Sequence, residues 1–137
     1  MLNYKETAAK FGISLTGEQL HLLTVYAQFL AAQNKVLNLT AVKPENYFVD
    51  LFLDSLMAIK TGLIAPELKL VDIGSGAGLP ALPLKIYQPT LKVYLIEAAT
   101  KKAVFLQQAV ALLALKDVFI FNERAEVLAR KTEMREK

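Results

Sequence analysis

The chain has 137 residues, 54% of them hydrophobic, and a formal net charge of +3. That length can bury one substantial core but not two, so one compact unit is expected. The absence of cysteine removes disulfides, thiolate nucleophiles and Cys-ligated zinc together, and the single histidine, His21, cannot build a metal site alone. A mild positive charge permits a polyanionic partner without requiring one. The N-terminus, "MLNYKETAAK", lacks the basic start and apolar stretch of a leader, and no apolar run reaches the roughly 18 residues of a membrane span. A cytoplasmic protein without a membrane segment is expected.

In chain order, Gly12 reads as the stop of a short first helix. Thr16 with Gln19 forms a capping-box pattern that opens a helix of about 17 residues. Its apolar register runs Leu20, Leu23, Ala27, Leu30, which leaves His21, Thr24 and Gln28 on the other face. Pro44 suits the first turn of another helix, with the stripe Phe48, Leu51, Phe52, Ser55, Leu56, Ile59 facing a core and Gly62 ending it. Near residue 67 the pattern changes. "LKLVDI", "LKVYLIE" and "DVFIFN" are β-rich runs separated by a glycine loop with a helix and by a helical segment opened at Thr100. A further helix is expected from Asn122 to about Met134. Strands alternating with helices indicate an α/β parallel sheet. Two parts follow: an N-terminal helical layer over residues 1–66, and the sheet part over residues 67–137.

The glycine loop, "VDIGSGAGLP", follows the first strand. Gly74, Gly76 and Gly78 can take positive φ and expose unobstructed N–H groups at a helix start, so a ligand can approach the backbone closely. Glu97 ends the second strand about twenty residues past the loop, where an acid reaches ribose hydroxyls. A dinucleotide fingerprint, G-x-G-x-x-G, would need glycine where Leu79 stands. The spacing here is G-x-G-x-G, the pattern associated with S-adenosylmethionine in class I methyltransferases. Dinucleotide binding and a purely structural turn remain open on the residues alone.

Several segments together resemble the glucose-inhibited division protein B family (RsmG), methyltransferases of N7 of a guanine in bacterial 16S rRNA. They are "GISLT" at 12–16, "NKVLNLTAV" at 34–42, "LDSL" at 53–56, "VDIGSGAGLP" followed by "LPL", "EAATKKAVFL" at 97–106 and "RAE" at 124–126. The resemblance implies a class I Rossmann-like fold, S-adenosylmethionine as cofactor and small-subunit 16S rRNA as partner. It also implies that Gly74 and Leu79 hold the cofactor, Glu97 its ribose, and Ala125 with Glu126 its adenine. Lys101 and Lys102 match a basic pair of the family, suited to rRNA phosphates or equally to a solvated first turn of the helix.

The chain departs from the family's pattern at three positions. Asp50 and Leu51 stand where Arg and His usually precede "LDSL", and Gln33 stands where Trp is common. The family also continues beyond the third strand with further strands and an arginine that completes the cofactor site. From the residues present, a retained cofactor half is expected, without turnover by this chain as it stands. A cofactor-binding remnant or partial gene product, and a nicotinamide-dinucleotide oxidoreductase fragment, are the alternative readings. The class I topology places the first strand mid-sheet, so its outer edge is expected to lack a partner. The consequence is self-association through that edge, cover by the N-terminal helices or the tail, or poor solubility.

Overall fold

The computed structural model describes the backbone of residues 3–136 and the side chains of residues 3–130. Helix α1 covers Tyr4–Lys10, and Gly12 follows it at φ +79°, as the stop signal predicts. Helix α2, Gly17–Leu37, opens on the expected capping box: the Gln19 amide donates to Thr16 Oγ1 at 3.1 Å, and the Thr16 amide donates to Gln19 Oε1 at 2.9 Å. It runs 21 residues rather than about 17. The sequence reading stopped near Asn34, but that side chain does not break the helix. It accepts from the Leu39 and Thr40 amides at 2.6 and 2.9 Å, and so shapes the turn that follows. Leu23, Tyr26 and Leu30 are the buried face, and His21 is exposed as expected.

The segment opened by Pro44 is not the single regular helix that its stripe predicts. A 3-10 turn, Pro44–Asn46, leads to a π-helical stretch, Phe48–Leu53, then to the short helix α3, Asp54–Leu56, and a 3-10 end, Met57–Thr61. The neighbours Phe52 and Leu53 are both buried, at 1% and 2% exposure. Leu53, which lies outside the predicted stripe, is buried and Leu51, which lies on it, is only half-buried, a rotation of the inward face that the wider π turn brings. Gly62 closes the segment at φ +74°.

Three parallel strands follow: β1, Lys69–Ile73; β2, Lys92–Ile96; and β3, Val118–Phe121, paired in the order β1-β2-β3. Helix α4, Ala81–Tyr87, connects the first two strands and helix α5, Thr100–Leu112, the second two. Helix α6 spans Ala125–Glu136. Helix α5 opens at Thr100 as expected, but its N-cap is Ala99, and the Thr100 hydroxyl pairs with the Asn122 side chain at 3.2 Å instead of a helix amide. Asn122 precedes α6 rather than starting it.

Leu70, Val93, Leu95, Val118 and Ile120 share the sheet face that meets α4 and α5, and α2 packs over both helices. One core cluster runs from Ala8 to Leu113. The opposite sheet face carries Val71, Ile73 and Phe119, which are 55%, 64% and 43% exposed. Tyr94 stacks between Phe119 and Phe121 on that face, with centroid distances of 5.2 and 6.4 Å.

Among the described residues no strand pairs with the outer edge of β1, and the helical layer leaves Val71 and Ile73 uncovered. An unpaired edge beside an exposed apolar face is a template for association. Light scattering of the purified chain is expected to give an apparent mass that rises with concentration. Val71→Lys is expected to shift it towards monomer, since a lysine on an edge strand opposes pairing by another chain. A mass independent of concentration in the unmodified chain would refute this.

Candidate functional site

The glycine loop leaves β1 and is held by bonds to its surroundings on every side. The Gly74 amide donates to the Ile96 carbonyl at 2.8 Å, which continues the β1–β2 ladder past the end of the strand. The Gly76 amide donates to Glu97 Oε1 at 2.8 Å. The Gly78 amide turns back to the Ser75 carbonyl at 2.8 Å, and the Ser75 hydroxyl donates to the Asp72 carbonyl at 3.0 Å. All three glycines have positive φ, between +54° and +88°. Side chains there would be strained, so the loop's path depends on glycine.

Glu97 follows β2 and is only 7% exposed. Its second carboxylate oxygen accepts from the Ala99 amide at 2.9 Å, and its own amide donates to the Phe121 carbonyl at 2.9 Å. The carboxylate therefore ties the glycine loop to the start of α5, and the backbone amide of the same residue ties both to the end of β3. Each oxygen keeps a second lone pair for a ligand hydroxyl.

Gly74, Glu97, Ala125 and Glu126 converge on one cleft of about 220 Å³ at the C-terminal ends of the strands, with Ile73, Ile96, Ala98, Glu123 and Arg124 completing its walls. Helix α6 starts at this wall. In that first turn the Val127 amide donates to the Arg124 carbonyl at 3.1 Å, which leaves the amides of Ala125 and Glu126 without an acceptor within the helix. A Cβ built on Gly74 would meet nothing within 4 Å, so the space over that backbone is open. An open backbone at Gly74 beside a carboxylate with free lone pairs suits a ligand that carries hydroxyl donors.

The other sequence candidates lie elsewhere. Gly76 is held by Glu97 and does not line the cleft. Gly78 is buried, and its missing side chain is explained by packing: a Cβ there would stand 2.6 Å from Leu82 Cδ1 and 3.1 Å from the Tyr26 hydroxyl. Leu79 lines a second cleft, of about 410 Å³, against Asp50, Leu51, Asp54 and Ser55. Two of the family-pattern departures, Asp50 and Leu51, therefore face the glycine loop. The third, Gln33, borders a cleft of about 250 Å³ with Lys101 at the start of α5. Lys101 is exposed and Lys102 half-buried, both in the first turn of that helix. The side chains of the basic tail beyond Arg130 lie outside the described residues.

Two residues that the sequence reading did not assign to the site stand beneath the loop. Asp72 is half-buried, and its Oδ2 is enclosed without a hydrogen-bond partner. Burial raises its carboxyl above the usual carboxylate range, offset in part by a bond from the Ala81 amide. Tyr26, fully buried on α2, donates its hydroxyl to the Ala77 carbonyl. Burial first, and then the charge of Asp72, pushes the phenol well above its ordinary value, so it stays protonated and remains a donor. The available signal for Tyr26 was its place three residues after Leu23, a residue of the apolar register.

A family model for rRNA small subunit methyltransferase G matches residues 19–136. The chain belongs to that family. It is 40% identical over 134 residues to "Ribosomal RNA small subunit methyltransferase G" of Pelotomaculum thermopropionicum, covering 97% of this chain and 56% of the relative. The same-named proteins of Roseiflexus castenholzii and Carboxydothermus hydrogenoformans are 44% and 42% identical, over 94% and 93% of this chain and 55% and 54% of theirs. The chain thus spans about half the length of the curated relatives it matches. Membership agrees with the resemblance read from the motifs, and the parallel α/β architecture is that of a class I methyltransferase fold. No helix among the described residues is long and apolar enough to cross a membrane.

Proposed function

We propose that this member of the rRNA small subunit methyltransferase G family carries the cofactor-binding half of an S-adenosylmethionine-dependent rRNA methyltransferase whose target is N7 of a guanine in small-subunit 16S rRNA. The observation that carries the reading is the meeting of Gly74, Glu97, Ala125 and Glu126, from three separate segments, on one cleft at the strand ends. When bound, S-adenosylmethionine supplies an electrophilic methyl group on a sulfonium, and the N7 lone pair takes it without prior deprotonation.

No residue of this chain is then needed as a general base. Its task is positioning, by which oriented groups lower the barrier of an in-line transfer. Glu97 accepts the ribose hydroxyls while its bonds to Gly76 and Ala99 hold the carboxylate still. Gly74 lets the ligand lie against bare backbone, and the Ala125 amide meets an adenine ring nitrogen, with Glu126 beside it. Leu79 lines the neighbouring cleft and meets only a part of the ligand that extends past the glycine loop. Lys101 and Lys102, on the solvent side of α5, meet rRNA phosphates.

A second reading, binding of the cofactor without methyl transfer, is favoured by the cleft beside Leu79. Asp50 and Asp54 line it and no basic side chain does, so it repels phosphate.

Calorimetric titration of the chain with S-adenosylmethionine, alongside NAD, tests the proposal. Micromolar binding of the methyl donor with none of NAD is expected. Binding of NAD alone would transfer the site to the dinucleotide reading, and binding of neither by a folded chain would reject the cofactor assignment. Methyl transfer to 16S rRNA by the chain that binds would then remove the second reading.

A further inference from the structure

The sheet part does not shape its glycine loop by itself. Consecutive loop residues are held from two directions: the Gly76 amide by Glu97, from the end of β2, and the Ala77 carbonyl by the Tyr26 hydroxyl, from α2. Tyr26 is 51 residues away from Ala77 in sequence. Its ring lies parallel to Phe52, with centroids 5.1 Å apart and planes within 16°, so the segment over residues 48–53 fixes its direction. A Cβ on Gly78, the next residue, would stand 3.1 Å from the same hydroxyl.

We propose that Tyr26 is a positioning residue for the glycine loop, so that the N-terminal helical layer is part of the ligand site although no residue of α2 lines its cleft. The inference rests on the reading that the cleft at Gly74 and Glu97 is the ligand site. Its physical basis is the loop's composition. Three glycines within five residues have more backbone freedom to lose than any other residue type, so an untethered loop would spend much of its time away from the shape a ligand meets. Glu97 limits that freedom on the cleft side. Tyr26 limits it on the core side, and its phenol has no other acceptor among the described bonds.

The test is Tyr26→Phe, which removes the hydroxyl and keeps the ring on Phe52. Hydrogen exchange of the amides at 76–79, measured on the whole chain without ligand, is expected to accelerate about 5-fold relative to the amides of α5, the size of effect that loss of one neutral hydrogen bond supports. S-adenosylmethionine affinity is expected to fall by a similar factor of about 5. A purely structural role would accelerate exchange in α2, α5 and the loop alike, and that outcome overturns the proposal. So does unchanged affinity in a chain whose wild type binds. If the wild type binds no S-adenosylmethionine, the cofactor reading fails while the exchange comparison still decides the role of Tyr26. Should Tyr26→Phe not fold, exchange of the wild type in rising urea decides. The loop amides are expected to open together with α2, and a loop that opens independently of α2 refutes the tether.

Discussion

Replacing Glu97 with alanine is expected to weaken S-adenosylmethionine binding by about 10- to 100-fold, the range for losing hydrogen bonds to a charged group. Two losses combine. The ribose hydroxyls lose their acceptor, and the Gly76 and Ala99 amides, held at 2.8 and 2.9 Å, lose theirs. The second loss loosens the loop before any ligand arrives, so the deficit exceeds that of one ligand contact. Glu97→Gln separates the two contributions. The amide keeps one acceptor oxygen for Gly76 but cannot also serve Ala99 and two hydroxyls, so an intermediate affinity is expected. Calorimetry on the wild type and both variants, with circular dichroism to establish folding, checks the order. Equal affinity in wild type and Glu97→Ala would remove Glu97 from the site.

Gly78→Ala is expected to cost about 3 kcal/mol of stability and to lower the melting temperature by about 10 °C, large against a total of about 5–15 kcal/mol for a domain of ordinary stability. The backbone there has φ +88°, where a Cβ is itself strained by about 1–2 kcal/mol. The added methyl would also stand 2.6 and 2.9 Å from Leu82 Cδ1 and Cγ. Leu82 is fully buried and cannot swing aside, so overpacking adds about 1–3 kcal/mol. Gly17→Ala is the control. It lies in the first turn of α2 with nothing within 4 Å, and its expected effect is close to zero. Thermal melts of the two variants beside the wild type give the comparison. A Gly78→Ala melt as high as that of Gly17→Ala would show that the loop accommodates a side chain and that its third glycine is not required for packing.

Features whose partners lie within a few residues were legible in the amino acids. Thr16 and Gln19 cap each other across three positions, Gly12 and Gly62 end their helices at positive φ, and the three strands follow from short β-rich runs between breakers. Glu97 and Gly74 were legible from spacing, because a strand–loop–helix–strand unit has a nearly fixed length and brings the end of β2 beside the loop after β1. Family membership was legible for a related reason, since the motifs recur in order along most of the chain.

Packing between distant segments decided the rest. Nothing around residue 78 announces that a side chain there would meet a tyrosine hydroxyl from α2. Nothing in "LFLDSL" announces a π turn, since a regular stripe and a widened one use the same apolar residues and only the core they face selects between them. Tyr26 is absent from the predicted register Leu20, Leu23, Ala27, Leu30, and only the fold carries its hydroxyl to Ala77. Local sequence encodes backbone dihedrals and hydrogen bonds over three or four positions. Which buried polar atom meets which backbone group 51 residues away is set only when the helical layer closes over the sheet.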